Sequence, residues 1–336
     1  MNRRNSWLIL LVLSVLGFFV LDIISGSVNI PLRNIFAIVS GSEKETAWAD
    51  ILFTFRLPKA FTAMMAGAGL AVSGLQMQTL FRNPLAGPYV LGVSSGASLA
   101  VALLVMAAPF TGAFFGSFMP QLSIIFAACL GSVLSLFLIM LVAERIRENS
   151  TLLIIGLMLG HLTSALVGVL QYFSTAGDLQ SFILWSLGSF SNVVSSQLKL
   201  LFPILAGGLF LSFLFSKPLN ALLLGESYAR SMGVNIRTSR FWIMVSAGML
   251  AGSITAFCGP IAFLGLAVPH LCKALFKTSD HRFLVPAVAL MGALLALGCD
   301  IASQLPGKGI TLPINAVTSL IGAPVVIWII LSQRKY

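Results

Sequence analysis

Apolar runs of about twenty residues recur along the whole chain, separated by short polar breaks, and nothing constrains the fold more. A helix rises 1.5 Å per residue, so each run matches a hydrocarbon core of ~30 Å. The runs lack the two-residue alternation of a barrel strand. In lipid the backbone must satisfy its own hydrogen bonds, so the spans are helices. With 58% hydrophobic and 9% charged residues among 336, too few polar side chains remain to cover a water-soluble surface. The expectation is an all-α polytopic membrane protein of about ten transmembrane helices, with residues 1–336 forming a single transmembrane domain.

Asn2-Arg3-Arg4 followed by 7–24 has the charged and apolar regions of a signal peptide. No clean small-x-small cleavage site comes after it, and more spans do, so it reads as the first transmembrane helix. Segment 29–55, with Arg33, Glu43, Lys44, Glu45 and Asp50, is the longest polar connection. A second span, 58–81, opens at Arg56-Leu57-Pro58-Lys59 and carries Ala63, Gly67 and Ala71 four apart. After the break RNPLAGP (82–88), a third begins near Gly92, with Gly92, Gly96 and Ala100 again four apart. The fourth is 121–142; the fifth, 151–173, holds His161 and the longest small-residue row, Gly156, Gly160, Ser164 and Gly168. Such rows let helix backbones approach closely in lipid. Segment 178–190 is apolar but too short to span and reads as a re-entrant or interfacial helix. Spans 198–215, 241–257 (with Gly248, Gly252 and Ala256), a shortened 264–276 holding Pro269-His270, 282–303 and 312–332 complete the map. Both halves run from a glycine-rich helix to Asn-Pro or Gly-Pro and then Leu-Gly, a weak sign of internal duplication.

Between two spans lies 217–240, KPLNALLLGESYARSMGVNIRTSR, holding Lys217, Glu226, Arg230, Arg237 and Arg240. Pro218 is expected to break the preceding helix, and Gly225 and Gly233 to punctuate the segment beyond it. Leu222, Leu223, Tyr228 and Met232 give two short helices an apolar stripe, as a docking surface requires. The plainer alternative is a loop lying on the headgroups. With an inside N-terminus, 14 of the 20 Lys and Arg residues fall on one face and 6 on the other. The positive-inside rule then places both termini and 217–240 in the cytoplasm.

The net charge of +10 comes without a basic run interleaved with aromatics, so no nucleic acid is expected as a partner. Cys129, Cys258, Cys272 and Cys299 sit in apolar contexts without metal-type spacing and read as inert thiols. Pro306-Gly307-Lys308-Gly309 lacks the upstream glycine and the hydroxyl residue of a phosphate loop. Neither a Ser/His/Asp arrangement, H-E-x-x-H nor a paired carboxylate stands out, so a transport subunit is expected rather than an enzyme. Ionisable groups within spans are scarce, which argues against the rival class, an ion-coupled secondary transporter. The exceptions are His161, read as a helix–helix hydrogen-bonding group with a ligand role as the alternative, and Asp300, read as a local cap or pair. Arg56 and Lys59 either snorkel or offer cations to a carboxylate on an external partner.

The strings Arg56-Leu57-Pro58-Lys59, GAGLAVSGLQMQTLFRNPLAGPYVLGVSSGA (67–97), LLLGESYARSMGV, GPIAFLGLAVPH (259–270) and LPINAVTSLIGAPVVIW (312–328) carry a family resemblance. Together they resemble the permease of iron-chelate and cobalamin ABC importers, the FecCD/BtuC-like family, over nearly the whole chain. The resemblance implies ten helices in the cell inner membrane and a second permease copy, in a homodimer or a pseudo-dimer. It also implies two cytoplasmic ATPase subunits that carry ATP–Mg, an external (periplasmic) binding protein, and no cofactor bound by this chain. By position it implies ATPase coupling at Leu223, Gly225, Glu226, Ala229, Arg230, Met232 and Gly233, and binding-protein docking at Arg56 and Lys59. It implies a gate or pathway at Asn83, Leu85, the Asn149-Ser150 turn, Gly160, His161 and Ser164, with 178–190 lining the pathway. A ferric siderophore is the first expectation for the cargo, with cobalamin and haem next. Four positions depart from the family: Gln304 where an arginine is frequent, Thr311 and Asn315 in Thr311-Leu312-Pro313-Ile314-Asn315 where the family has Glu-Leu-Pro-x-Gly, and Gly87 where the cobalamin member has glutamate.

Overall fold

The computed structural model describes residues 3–26, 28, 30–40, 47–107, 120–146, 149–305 and 311–333. Asn2, Glu43-Lys44-Glu45, Arg147-Glu148, Pro306-Gly307-Lys308-Gly309 and Arg334-Lys335 lie outside the described residues, as do the side chains of Asn149 and Ser150. In chain order the helices are α1 (Arg3–Ile24), α2 (Leu32–Val39), α3 (Ala47–Leu80), α4 (Val93–Met106), α5 (Pro120–Arg145), α6 (Asn149–Phe173) and α7 (Ala176–Ser186). They continue as α8 (Ser195–Leu214), α9 (Ser216–Leu223), α10 (Glu226–Ser231), α11 (Ile236–Cys258), α12 (Leu264–Phe276), α13 (His281–Ser303) and α14 (Ile314–Gln333). Among the described residues seven helices are long and apolar enough to cross a bilayer: α1, α3, α5, α6, α8, α11 and α13. Helices α4, α12 and α14 are apolar but shorter.

The chain is wound around α3, against which α8, α11, α12 and α13 all pack. Burial separates inner from outer helices: 83% of the apolar window of α3 and 78% of that of α11 is buried, against 17% for α1 and for α6. Three of the four small-residue rows are consumed by this packing. A Cβ on Gly67 would lie 2.1 Å from the Gly292 carbonyl oxygen, and one on Gly292 2.3 Å from that of Gly67, so α3 and α13 touch backbone to backbone. Gly96 and Gly131 do the same for α4 and α5, and Gly248 of α11 lies under Leu136 of α5. The row on α6 differs. Gly156, at its start, is buried, but Gly160 has only the Ser95 hydroxyl nearby, Gly168 has nothing within 4 Å, and Ser164 is exposed.

Several boundaries correct the expectation. The second span does not open at Arg56-Leu57-Pro58-Lys59; α3 begins at Ala47 and runs through that string by way of a π-helical turn, Ile51–Arg56. There the Leu57 N–H reaches the Leu52 carbonyl, five residues back, and the widened turn admits Pro58, which has no N–H to give. The connection 29–55 is thereby shortened and contains α2. After the sixth span the chain turns at Phe215, ahead of Pro218, which sits in the first turn of α9 where a missing N–H is harmless. The Asn149-Ser150 turn is the first turn of α6. Arg237 and Arg240 belong to α11 and not to a loop.

Candidate functional site

Segment 216–235 folds as two short helices at one end of the bundle. The Leu224 and Gly225 N–H groups close α9 on the Ala221 and Leu222 carbonyls, each at 3.1 Å. The chain bends at Gly225, whose φ of 110° is a conformation that a side chain would strain. Helix α10 ends in a Schellman closure: the Val234 N–H bonds the Ala229 carbonyl at 3.0 Å and the Gly233 N–H the Arg230 carbonyl at 2.9 Å, with Gly233 at φ 80°. Ala229 is buried, Leu223 half-buried, and Leu224, Tyr228, Arg230 and Met232 are exposed. Glu226 accepts from Arg240 Nη2 at 2.7 Å, which fastens α10 to the first turns of α11.

The buried side of this segment belongs to one apolar cluster that also contains the end of α3 and the loop beyond it. Leu219, Ala221, Leu222 and Ala229 pack with Leu80, Phe81 and Ala86, with Leu152 of α6 and with Ile236 and Ile243 of α11. A polar chain runs alongside. Asn220 donates to the Asp280 carboxylate at 2.6 Å, which orients its amide so that its oxygen accepts from the His281 N–H and from His281 Nδ1, both at 2.8 Å. With Nδ1 donating, His281 Nε2 is left to accept from the Thr79 hydroxyl at 2.8 Å. Segment 216–235 is thus tied to the penultimate residue of α3. The Asn220 amide, helped by the Arg282 N–H, holds the Asp280 carboxyl below the usual carboxylate range. No motif marks Asn220, His281 and Thr79 in the sequence; each is an ordinary polar residue until the fold brings the three elements together.

Loop 81–87 comes directly after α3. Asn83 Oδ1 accepts from the Leu85 N–H at 2.9 Å, an Asx-type turn that pushes Leu85 outward, where it is exposed. His270 Nε2 of α12 donates to the Pro84 carbonyl at 2.8 Å. Gln78, one turn earlier, donates to the Leu266 carbonyl at 3.2 Å and accepts from Lys273 Nζ at 3.3 Å. The Pro269-His270 pair read from the sequence is therefore part of the loop's support. The other pathway candidates, Gly160, His161 and Ser164, lie on α6, with His161 and Ser164 exposed on the outside of the single chain. His161 does not take the place inside this bundle that a helix–helix hydrogen bond within the chain would need.

At the opposite end the structure employs Arg56 and Lys59 internally. Arg56 is 6% exposed, and its guanidinium donates to the carbonyls of Ile23 (2.8 Å), Ile24 (2.9 Å) and Val28, capping the end of α1. Lys59 Nζ lies 2.6 Å from Asp300 Oδ2 and 3.4 Å from Asp22 Oδ1. Gln304 donates to Asp22 at 3.1 Å and to the Asp300 carboxylate at 3.3 Å. Neither snorkelling nor a free cation describes these side chains: they join α1, α3 and α13 inside the protein. Asp300 pairs locally, with Gln304 at the end of its own helix, and also with Lys59 of another helix. Asp22 escapes a motif-based reading; its signal is a lone carboxylate inside an apolar run, which demands a partner. Arg56, Lys59, Asp300 and Gln304 form part of the wall of a cavity of about 590 Å³, with Leu184 and Ser189 from the α7 region opposite. Asn315 accepts from the Ala262 N–H at 3.0 Å, a bond the family's glycine cannot make.

A bundle of apolar helices whose exposed short helices pack against the loop at the end of the central helix, and are hydrogen-bonded through His281 to its last turn, suits the membrane-spanning part of a transporter. The chain belongs to the FecCD transport family, whose model matches residues 10–332. It is 35% identical over 333 residues, covering 99% of this chain and 96% of the relative, to the vitamin B12 import system permease protein BtuC of Klebsiella pneumoniae. It is also 35% identical to the hemin transport system permease protein HmuU of Yersinia pestis, over 98% of this chain and 95% of that one. A solved structure described as an inward-facing conformation of a metal-chelate type ABC transporter superimposes with a TM-score of 0.86 at 28% identity, covering 98% of this chain and 99% of that one. The protein is a multi-pass inner-membrane permease subunit of an ABC importer, a transport component without a catalytic role of its own.

Proposed function

We propose that this permease imports a metal-bearing tetrapyrrole, cobalamin or haem, and that α9 and α10 receive the force of a cytoplasmic ATPase. The cargo is taken from the two relatives, one a vitamin B12 and the other a hemin permease, and displaces the ferric siderophore expected first from the sequence. In this reading the whole chain works as one domain of ten transmembrane helices, α4, α12 and α14 included, with both termini and α9–α10 in the cytoplasm. Two ATPase subunits bind ATP–Mg, and a second copy of the permease completes the pathway. An external binding protein docks at the opposite end. There the surroundings of Arg56 and Lys59, rather than those two bonded cations alone, form the contact surface. The later part of the α6 row, Gly160, Ser164 and Gly168, which the chain leaves open, supports a second copy, because small residues in lipid are used where another helix approaches.

The observation that carries the coupling role is the shared cluster of α9, α10 and loop 81–87. A packed core responds to a push as a unit, so displacement of α10 is passed to Asn83 and Leu85 and shifts the gate's population. Replacing Glu226 and Arg230 together with alanine tests it by co-purification of the ATPase. Weakened recruitment is the expected result; full recruitment with normal transport would contradict the assignment. An ion-coupled carrier would instead lose uptake on collapse of the ion gradient and be indifferent to loss of the ATPase.

A further inference from the structure

The chain passes from α11 to α12 through a non-helical break, 259–263. Helix α12 has 13 residues, about 20 Å, so it cannot cross a ~30 Å core and the break lies inside the bundle. Irregular backbone at that depth must find its partners in protein. Gly259 at φ 76° and Phe263 at φ 67° both adopt left-handed conformations, which strains Phe263. Neither has space around it. A Cβ on Gly259 would lie 2.4 Å from the Trp185 carbonyl oxygen, and one on Gly322 2.4 Å from Phe263 Cβ.

The partners of the break come from two directions. From the α7 side, the Ser189 N–H donates to the Cys258 carbonyl at 2.8 Å. Asn315 joins Leu187 to Ala262: its N–H donates to the Leu187 carbonyl at 3.2 Å, and its Oδ1 accepts from the Ala262 N–H at 3.0 Å. Leu187 and Ser189 line the cavity walled by Arg56 and Lys59. From the other side, the Tyr89 hydroxyl accepts from the Ile261 N–H at 3.0 Å and donates to the Ile261 carbonyl. Tyr89 lies in the 3-10 turn Pro88–Leu91, two residues beyond loop 81–87. Helix α12 adds a second attachment to that loop through His270 and the Pro84 carbonyl.

We propose that 259–263 is a joint through which the wall of the cavity at Arg56 and Lys59 and loop 81–87 move together, with Tyr89 and Asn315 as its positioning residues. Ile261 and Ala262 are consecutive, so a shift handed by Asn315 to Ala262 reaches Tyr89 across one rigid peptide unit. Phe263, held in a strained conformation, gives the joint a residue that relaxes when the break moves, as an element with two positions requires. The inference rests on the proposed reading of loop 81–87 as the gate and of the cavity as the face of the external binding protein.

The first test needs neither the ATPase nor the binding protein. Amide hydrogen exchange is followed on the full-length permease in detergent, comparing the wild type with Tyr89→Phe and Asn315→Ala. Tyr89→Phe is expected to speed exchange at 187–190, and Asn315→Ala at 81–87, each across the joint from the altered residue. Asn315→Asp keeps the acceptor for the Ala262 N–H and should match the wild type. Changes confined to the altered residue's own side of the joint overturn the proposal; Asn315→Ala decides it alone if Tyr89→Phe does not fold. The second test uses the complex with its ATPase and reads hydrolysis with and without the binding protein. Both variants should reduce the ratio of stimulated to basal hydrolysis by about fivefold or more. An unchanged ratio in folded variants overturns the joint's part in transport. A wild type that shows no stimulation would instead contradict the reading of the two ends, and the exchange data still decide the joint.

Discussion

Lys59 stands between two buried carboxylates, and its removal leaves Asp22 and Asp300 facing each other with only Gln304 between them. Breaking a buried ionic group from one side destabilises by about 3–5 kcal/mol, because the surviving charge is neither solvated nor paired. Lys59→Met should therefore lower Tm in detergent sharply, and adding Asp22→Asn and Asp300→Asn should restore most of the loss. A single variant that melts like the wild type would show that the cation is dispensable. The same cluster marks the limit of reading residues from sequence. Arg56 and Lys59 are conspicuous as charges, but whether they face water or protein depends on Asp22 and Asp300, which other helices deliver. Leu57 bonding five residues back, which lets Arg56 and Lys59 lie inside a continuous helix, is likewise invisible in a string whose proline reads as a start.

Among the elements, α9 is legible in the sequence and its attachment is not. Gly225 and Gly233 sit where two helices must end, so the pair of short helices can be read directly from the chain. The Asn220–His281–Thr79 connection cannot, since it joins α9, α13 and α3 through residues of no special type. Asn220→Ala removes partners from Asp280, His281 and, through the ring, Thr79, and is expected to reduce stability by about 1–3 kcal/mol. In reconstituted transporter it should also raise the ATP hydrolysed per cargo molecule moved, because α9 then shifts without carrying the end of α3. An unchanged ratio despite lowered stability would confine Asn220 to a structural role. Helix α6 supplies the complementary case. A Cβ on Gly168 meets nothing within 4 Å and the position is exposed, so Gly168→Trp should leave the monomer folded while weakening the proposed dimer. Retention of the dimer on size-exclusion chromatography would remove α6 from the interface.

For the molecule as a whole, the succession of apolar runs defines the class, because length and hydropathy are one-dimensional properties. Helix α12 appears at the bounds its apolar run marks, Leu264–Phe276, whereas α3 starts at Ala47, well ahead of the apolar stretch beyond Pro58. The small-residue rows announce close packing, yet only the fold shows that three are filled internally and that the one on α6 is left open from Gly160 to Gly168. That division between filled and open positions is the basis for proposing a second copy against α6. The most direct measurement is uptake into proteoliposomes holding the permease co-purified with its ATPase, with external binding protein and lumenal ATP, comparing cobalamin, haem and a ferric siderophore. ATP-dependent uptake of cobalamin or haem is the predicted result. Uptake of neither, or uptake that persists without ATP and collapses with the ion gradient, would contradict it.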